Sequence, residues 1–280
     1  MNTVNLDRIR SPLRYPGSKS KVLKRFLPYF VPHKEYREPF FGGGSIFFGK
    51  PKVPINWLND KDPMVSNFFR VIRDEPEQLK EMVKKHKPSV ELWKTIKFSE
   101  PSSTVEAAFM FLFLNRTNYS GILSANPMGG LNQNSEYKID CRWNAEEICR
   151  RIDLCSLKLQ DTTITSVDYK ELITAKGEDV LIILDPPYYK KGKRLYNVFM
   201  TPEEHEELAN LLRHCNHKFL LTIDDCKEVR DLYSWAPFIN QEEWYYSLTS
   251  KTNNIGKELF ISNFDITAEI YKSNLIPQHV

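Results

Sequence analysis

No apolar run in this 280-residue sequence approaches the roughly 20 residues needed to cross a bilayer, and Met1 to Arg14 has no apolar core of a signal peptide. A cytoplasmic protein with no membrane partner is the expectation. Neither sign of charge dominates: 39 Lys and Arg stand against 36 Asp and Glu, a net charge of +3. That balance permits a polyanionic partner without requiring one, so the distribution of charge has to carry the argument. Cysteine is sparse. Cys141, Cys149, Cys155, Cys215 and Cys226 are odd in number and contain no Cys-x-x-Cys pair, which predicts reduced and mostly buried thiols. His214-Cys215-Asn216-His217 has no second ligand pair at zinc spacing, and no metal is expected. Gly-x-Gly-x-x-Gly and Gly-x4-Gly-Lys are both missing, which argues against a nicotinamide dehydrogenase and a P-loop nucleotidase. There are no long-period repeats and no low-complexity tails.

What is present is an ordinary globular composition, 41% hydrophobic and 27% charged, long enough for one or two domains. Its centre is Val180-Leu181-Ile182-Ile183-Leu184-Asp185-Pro186-Pro187-Tyr188-Tyr189. Five branched aliphatics without alternation predict a strand buried on both faces of a parallel α/β sheet. Pro186 and Pro187 donate no backbone hydrogen bond and fix φ, so the ladder stops there. Ligands of open α/β sheets bind beyond the carboxyl ends of the strands, where Asp185 and Tyr188 fall. A carboxylate, a carbonyl and an aromatic face in a stiff turn suit a flat group carrying an amine. Taken alone, Asp-Pro-Pro-Tyr reads equally well as a strand ending in a Pro-rich turn.

Upstream, Leu13-Arg14-Tyr15-Pro16-Gly17-Ser18-Lys19 forms a tight turn before an amphipathic stretch, Val22 to Phe30, and puts Tyr15 and Lys19 where an anionic group would sit. Glu38-Pro39-Phe40-Phe41-Gly42-Gly43-Gly44 follows a short strand and precedes an apolar helix, the order of a nucleotide-binding βα unit. Adjacent glycines let a ligand approach the backbone. A second strand, Ile55 to Asp60, ends in an acid placed to accept from ribose hydroxyls, although Asp60 could equally cap the helix Pro63 to Arg73, as could Asn59 or Asp62.

From about residue 75 to 158 the character changes. Lys80, Lys84, Lys85, Lys87, Lys94 and Lys97 crowd one stretch, which reads as a solvated helix face. An apolar helix, Val105 to Leu114, leads into Asn115-Arg116-Thr117-Asn118-Tyr119-Ser120-Gly121 and a polar loop, Ser124 to Tyr137, containing Asn126, Gly129, Gly130 and Gln133. Asn, Arg, Thr and Gln are side chains that read base edges, and the paired glycines allow a hairpin to enter a groove. The sheet resumes with Thr162 to Val167, followed by Asp168. Beyond the central strand, Lys190, Lys191, Lys193 and Arg194 form a basic loop suited to phosphates flanking a target nucleotide. Thr201 caps a helix to Leu212; Phe219 to Ile223 reads as a buried strand, and Glu243 to Thr249 with Glu258 to Phe264 as a closing pair.

With these motifs in order, nearly the whole chain resembles the Dam-type DNA adenine-N6 methyltransferases of the alpha group, in which the recognition domain lies between the cofactor motifs and the catalytic motif. Leu13 to Lys19 is similar to the family's N-terminal cofactor motif, with Tyr15 where a Trp is common and Ser18 where a Gly is. Glu38 to Gly44 resembles its Glu-Pro-Phe-x-Gly-x-Gly loop, and Asp185 to Tyr188 its catalytic motif.

The resemblance implies a Rossmann-like class I methyltransferase fold: a mixed, mostly parallel sheet with helices on both faces, formed by residues 1–74 and 159–280. Residues 75–158 would be an inserted, mainly helical recognition domain carrying a hairpin or loop. It implies S-adenosylmethionine as methyl donor, S-adenosylhomocysteine as product and no metal. Tyr15, Lys19, Glu38, Phe40, Gly42, Gly44, Asp60, Asp168 and Asp185 would hold the cofactor. Asp185, Pro186 and Tyr188 would act on a flipped adenine in double-stranded DNA. Arg116, Asn118, Asn126, Gln133, Lys190, Lys191, Lys193 and Arg194 would contact DNA. The partners implied are duplex DNA and a restriction endonuclease cutting the same site, unless the enzyme is an orphan methylase, with a monomer working on the nucleoid.

Ser124 to Arg142 departs from the hairpin associated with GATC, so the target sequence is open. Methylation of a protein glutamine, of RNA or of cytosine, or a DNA-binding scaffold without catalysis, are the competing readings. Asp rather than Asn at position 185 favours adenine, and the intact Asp185 to Tyr188 stretch and glycine loop favour catalysis.

Overall fold

The computed structural model describes residues 6, 9–14, 23, 27–190, 199–245 and 255–266. The chain folds as two compact units: 1–21, 42–52 and 62–166 form the first, and 22–41, 53–61 and 167–280 the second. Among the described residues the strands are β1 (Glu35–Glu38), β2 (Ile55–Asn59), β3 (Thr163–Thr165), β4 (Val180–Leu184), β5 (Lys218–Asp224), β6 (Phe238–Tyr245) and β7 (Ile255–Ser262).

Six of these strands belong to the second unit, in the order β2-β1-β4-β5-β7-β6. β2, β1, β4 and β5 run parallel, and β7 lies antiparallel between β5 and β6. β4 has a parallel neighbour on each side and all five of its residues are buried, which is why its sequence shows no alternation. Ile182, Leu184, Phe219, Leu221, Ile223, Leu259 and Ile261 build the core with Leu208, Leu212 and Tyr233. The helix Pro202–Arg213 enters through a full capping box, in which Thr201 and Glu204 satisfy each other's backbone N–H.

β6 begins at Phe238 rather than Glu243, directly after Pro237. Its middle, Asn240 to Glu243, is polar and hides the strand from a hydropathy reading. The polar side chains are used: Tyr29 Oη donates to Glu242 Oε1 at 2.9 Å and accepts from Asn240 Nδ2 at 2.9 Å. Of the expected stretch Val22 to Phe30, a short 3-10 turn, Leu27–Tyr29, is described.

The first unit is mainly helical: Pro63–Asp74, Pro76–Lys85, Val90–Phe98, Thr104–Thr117 and Ala145–Leu159, with β3 anchored by Ser66 Oγ to the Thr165 carbonyl at 2.8 Å and Arg70 Nε to that of Ile164 at 3.1 Å. The apolar helix is longer than the expected Val105 to Leu114. It runs on through Asn115, Arg116 and Thr117, and all three polar side chains are buried. Lys80 likewise leaves the expected solvated face. It is buried, and its ammonium sits between Asp153 at 2.5 Å and Glu77 at 2.7 Å, because it shares a helix face with Leu79 and Val83. Residues 118–144 form turns rather than strands, with one isolated bridge between Asn118 and Pro127. Among the described residues no helix is long and apolar enough to cross a membrane.

Candidate active site

In the second unit, four parallel strands end side by side, and an acid stands at the end of each or directly after it. β1 ends at Glu38, β2 runs into Asp60, β4 into Asp185, and β5 ends at Asp224. The chain proceeds from β1 outward to β2 and returns to β4 on the other side of β1, so the crevice between β1 and β4 is the topological switch point where α/β sheets bind ligands.

On the β1 side, Glu38 is buried and accepts from Tyr36 Oη at 2.7 Å; burial and this carboxylate together push the Tyr36 phenol well above its ordinary range. Phe40 packs on Tyr169 with ring centroids 5.3 Å apart. The chain then turns through Gly42 and Gly44 at φ 49° and 71°, conformations open to glycine at no steric cost, and Gly44 begins the short helix Ser45–Gly49. Asn59 braces this region by donating to the carbonyls of Pro39 and Val167, both at 3.1 Å. Of the three candidate caps, Asp62 takes the role, accepting from Met64 N at 2.9 Å. The half-buried Asp60 is therefore not the capping residue. Asp168 is exposed and caps the helix Tyr169–Thr174 through Lys170 N at 3.0 Å.

On the β4 side, Asp185 is half-buried and its Oδ1 accepts from the buried Thr222 Oγ1 at 3.0 Å. Two acids that the sequence reading does not place in the site hold the segment that follows. Asp224 accepts from Tyr189 N through Oδ1 at 2.8 Å and from Lys190 N through Oδ2 at 3.1 Å. Glu258 on β7, almost fully buried, accepts a hydrogen bond from Tyr188 Oη. Asp224 and Glu258 are direct partners across the β5–β7 ladder. Like charges opposite each other ordinarily destabilise a sheet. Here each carboxylate has donors from the segment Tyr188 to Lys190, so Tyr188 is fixed through its hydroxyl and the backbone just after it through two N–H groups. The signal that could have found them is an acid at the end of a buried strand and another in its expected partner.

The remaining expected residues fall in different places. Tyr15, Lys19, Lys191, Lys193 and Arg194 lie outside the described residues. Lys190 is exposed and pairs with Glu228 at 3.2 Å. Asn118 is fully buried: its Oδ1 accepts from Trp93 Nε1 at 2.6 Å, and its Nδ2 donates to the Ile122 and Leu123 carbonyls. Gln133, at φ 51°, ties the glycine turn together, donating to Met128 O and accepting from Ile139 N, both at 2.8 Å. Asn126 is exposed, and Arg116 is buried. In the His214 to His217 stretch, His214 Nδ1 meets the Asn210 carbonyl and His217 Nε2 that of Ala175; among the described residues no group of three or more His, Cys, Asp or Glu is arranged to hold a metal.

A parallel sheet extended by an antiparallel strand slotted between β5 and its last strand, with a glycine loop after β1 and an Asp-Pro-Pro-Tyr turn after β4, has the architecture of a Rossmann-like methyltransferase. Residues 15–248 match the D12 class of N6 adenine-specific DNA methyltransferases, and the chain belongs to that family. It is 26% identical over 253 residues to the type II methyltransferase M.CviBI of Paramecium bursaria Chlorella virus NC1A, covering 88% of this chain and 95% of the relative. It is 27% identical over 202 residues to a type II methyltransferase of Lactococcus lactis subsp. cremoris, covering 67% of each. With a DNA adenine methylase of Vibrio cholerae it shares 25% identity over 190 residues, 65% of this chain and 66% of that one. Membership of the family implies S-adenosylmethionine as methyl donor.

Proposed function

We propose that the chain methylates N6 of an adenine extruded from duplex DNA, with the turn Asp185 to Tyr188 as the catalytic element. The observation that carries this reading is the anchoring of that turn at the switch point of the sheet, with Glu258 holding the Tyr188 hydroxyl and Asp224 the backbone N–H groups of Tyr189 and Lys190 just after it. The residues at the ends of β1 and β2 fit the expected cofactor: a backbone made approachable by Gly42 and Gly44, an acid that ends β1 and another directly after β2 for polar groups of a nucleoside. Tyr15, Lys19, Glu38, Phe40, Asp60 and Asp168 complete the proposed cofactor set, with Asp60 toward the ribose and Asp168 toward the adenine.

When bound, S-adenosylmethionine supplies a methyl group already activated for transfer. The protein's task is placement. The Asp185 carboxylate and the Pro186 carbonyl accept the two hydrogens of the adenine amine, which localises electron density on nitrogen and aims it. Tyr188 stacks on the base and recovers part of the few kcal/mol that extrusion costs. Orientation of this kind is worth on the order of 7 to 11 kcal/mol, so no strong base is required.

Residues 75–158 act as the recognition segment, with the exposed Asn126 as one base-reading side chain. Asn118 and Gln133 shape the loop that presents it. A type II relative fits a paired endonuclease acting on the same site, and a monomer working in the cytoplasm completes the proposal. The test compares wild type with Asp185→Ala and Tyr188→Ala for transfer of labelled methyl to duplex DNA, with cofactor affinity measured alongside. Asp185→Ala is expected to abolish transfer, and Tyr188→Ala to lower turnover more than cofactor affinity. Near-normal transfer by Asp185→Ala overturns the assignment.

A further inference from the structure

Thr222 puts a hydroxyl where an aliphatic side chain would pack as well. It lies on β5 between Leu221 and Ile223, and all three residues are 0% exposed. Val has the same shape without the hydroxyl and suits a strand interior equally. A hydroxyl kept in such a place needs a partner. Thr222 Oγ1 has two acceptors in reach, Asp185 Oδ1 at 3.0 Å and the Leu184 carbonyl at 3.4 Å. It has one hydrogen to give, and the nearer, charged acceptor takes it.

The sheet sets this contact. Side chains alternate along a strand, and Phe219, Leu221 and Ile223 face the core shared with Leu208 and Leu212, so Thr222 and Asp224 share the opposite face of β5. β4 and β5 run parallel with Leu184 beside Leu221, which brings the next residues, Asp185 and Thr222, side by side. On its other edge β5 pairs Thr222 with Phe260 and Asp224 with Glu258. β5 and β7 therefore hold the segment after β4 in the order of its sequence. Thr222 takes the Asp185 carboxylate, Glu258 the Tyr188 hydroxyl, and Asp224 the N–H groups of Tyr189 and Lys190.

The two proposed acceptors of the adenine amine differ in stiffness. The Pro186 carbonyl belongs to backbone held by two prolines. The Asp185 carboxylate hangs on a terminal torsion with a broad energy profile, so its plane turns easily unless a neighbour holds it. We propose that Thr222 is a positioning residue for methyl transfer, its hydroxyl fixing the plane of the Asp185 carboxylate so that this group and the Pro186 carbonyl meet the two amine hydrogens together. This rests on the DNA methyltransferase reading and adds to it a residue outside the Asp185 to Tyr188 motif.

The test compares wild type, Thr222→Val and Thr222→Ser in single-turnover transfer of labelled methyl from S-adenosylmethionine to genomic DNA lacking adenine methylation, at saturating enzyme and cofactor. Cofactor affinity by calorimetry and thermal melting are measured on the same proteins. Thr222→Val is expected to slow transfer about 10- to 100-fold with cofactor affinity within about threefold of wild type, because a small misalignment is felt at the reacting atoms first. It should melt close to wild type, since burying a methyl group in place of a hydroxyl offsets the lost hydrogen bond. Thr222→Ser keeps the donor and should recover most of the rate, although the loss of a buried methyl group lowers its melting temperature. Rate and stability thus move in opposite senses in the two variants. Transfer by Thr222→Val within about twofold of wild type overturns the proposal, well short of the effect expected for misalignment. So does Thr222→Ser as slow as Thr222→Val, which assigns the effect to packing, or a Thr222→Val protein that melts far below wild type or loses cofactor affinity in proportion to rate. In each of these cases the wild type still methylates DNA and the methyltransferase reading stands. A wild type that transfers no methyl to DNA refutes that reading and the proposal with it.

Discussion

Replacing Asp224 by asparagine alters two bonds without removing the side chain. The carboxylate accepts from Tyr189 N at 2.8 Å and Lys190 N at 3.1 Å through different oxygens, and the residue is 9% exposed. An amide offers one acceptor, and its NH2 then faces the other N–H, donor against donor. Losing one charge-assisted bond in a buried setting costs about 1.5–3 kcal/mol. Relief of the repulsion from Glu258, opposite on β7, returns up to about 1 kcal/mol. The net bias toward a displaced turn is about 1–2 kcal/mol, which lowers the population of the aligned turn about 5- to 30-fold if the two arrangements are otherwise close in energy. Single-turnover methyl transfer at saturating DNA and cofactor reads this directly, and calorimetry reads cofactor affinity. The expectation for Asp224→Asn is a 5- to 30-fold slower single turnover with cofactor affinity within about threefold of wild type, because a displacement on the order of 1 Å is felt at the reacting atoms first. A single-turnover rate within twofold of wild type refutes the view that Asp224 holds the turn in its working geometry.

Further expectations concern the same framework. Tyr188→Phe and Glu258→Met should show a coupling of about 1–2 kcal/mol in a double-mutant cycle of stability, since each removes one side of the same buried bond; additive effects contradict the assignment. Gly121→Ala should lower the melting temperature by several degrees, as it forces a side chain into positive φ and against the Arg14 carbonyl, and an unchanged melt refutes that packing. His205 is almost fully buried beside Tyr189, neither ring nitrogen has a hydrogen-bond partner, and burial lowers its pKa. The unfolded chain therefore takes up the proton first, so this contribution is intact above about pH 6.5 and is lost as the pH falls below it. His205→Leu should flatten the stability profile below about pH 6.5; an unchanged acid limb counts against a neutral buried His205.

Much of the sheet can be read from the sequence because burial on both faces of β4 leaves an unbroken aliphatic run, and because two prolines mark its end. The glycine loop after β1 is legible for a similar local reason: φ above zero demands residues that can adopt it. Asp224 and Glu258 are not legible in this way. Their partnership depends on the β5–β7 register, and the two residues are far apart in the chain. β6 escapes because two residues of its polar middle, Asn240 and Glu242, are used to bind Tyr29. Within the proposed recognition segment, Asn118 and Gln133 have the composition of base readers, but their amides complete buried and turn hydrogen bonds. A side chain's type does not disclose whether the backbone around it has already claimed its donors.

The most direct measurement is transfer of labelled methyl from S-adenosylmethionine to intact genomic DNA lacking adenine methylation, followed by nucleoside analysis and single-molecule mapping of the modified positions. The account predicts label in N6-methyladenine, confined to one short motif, and none with Asp185→Ala. Label in cytosine, or a wild-type protein that binds the cofactor and transfers nothing to DNA, contradicts it.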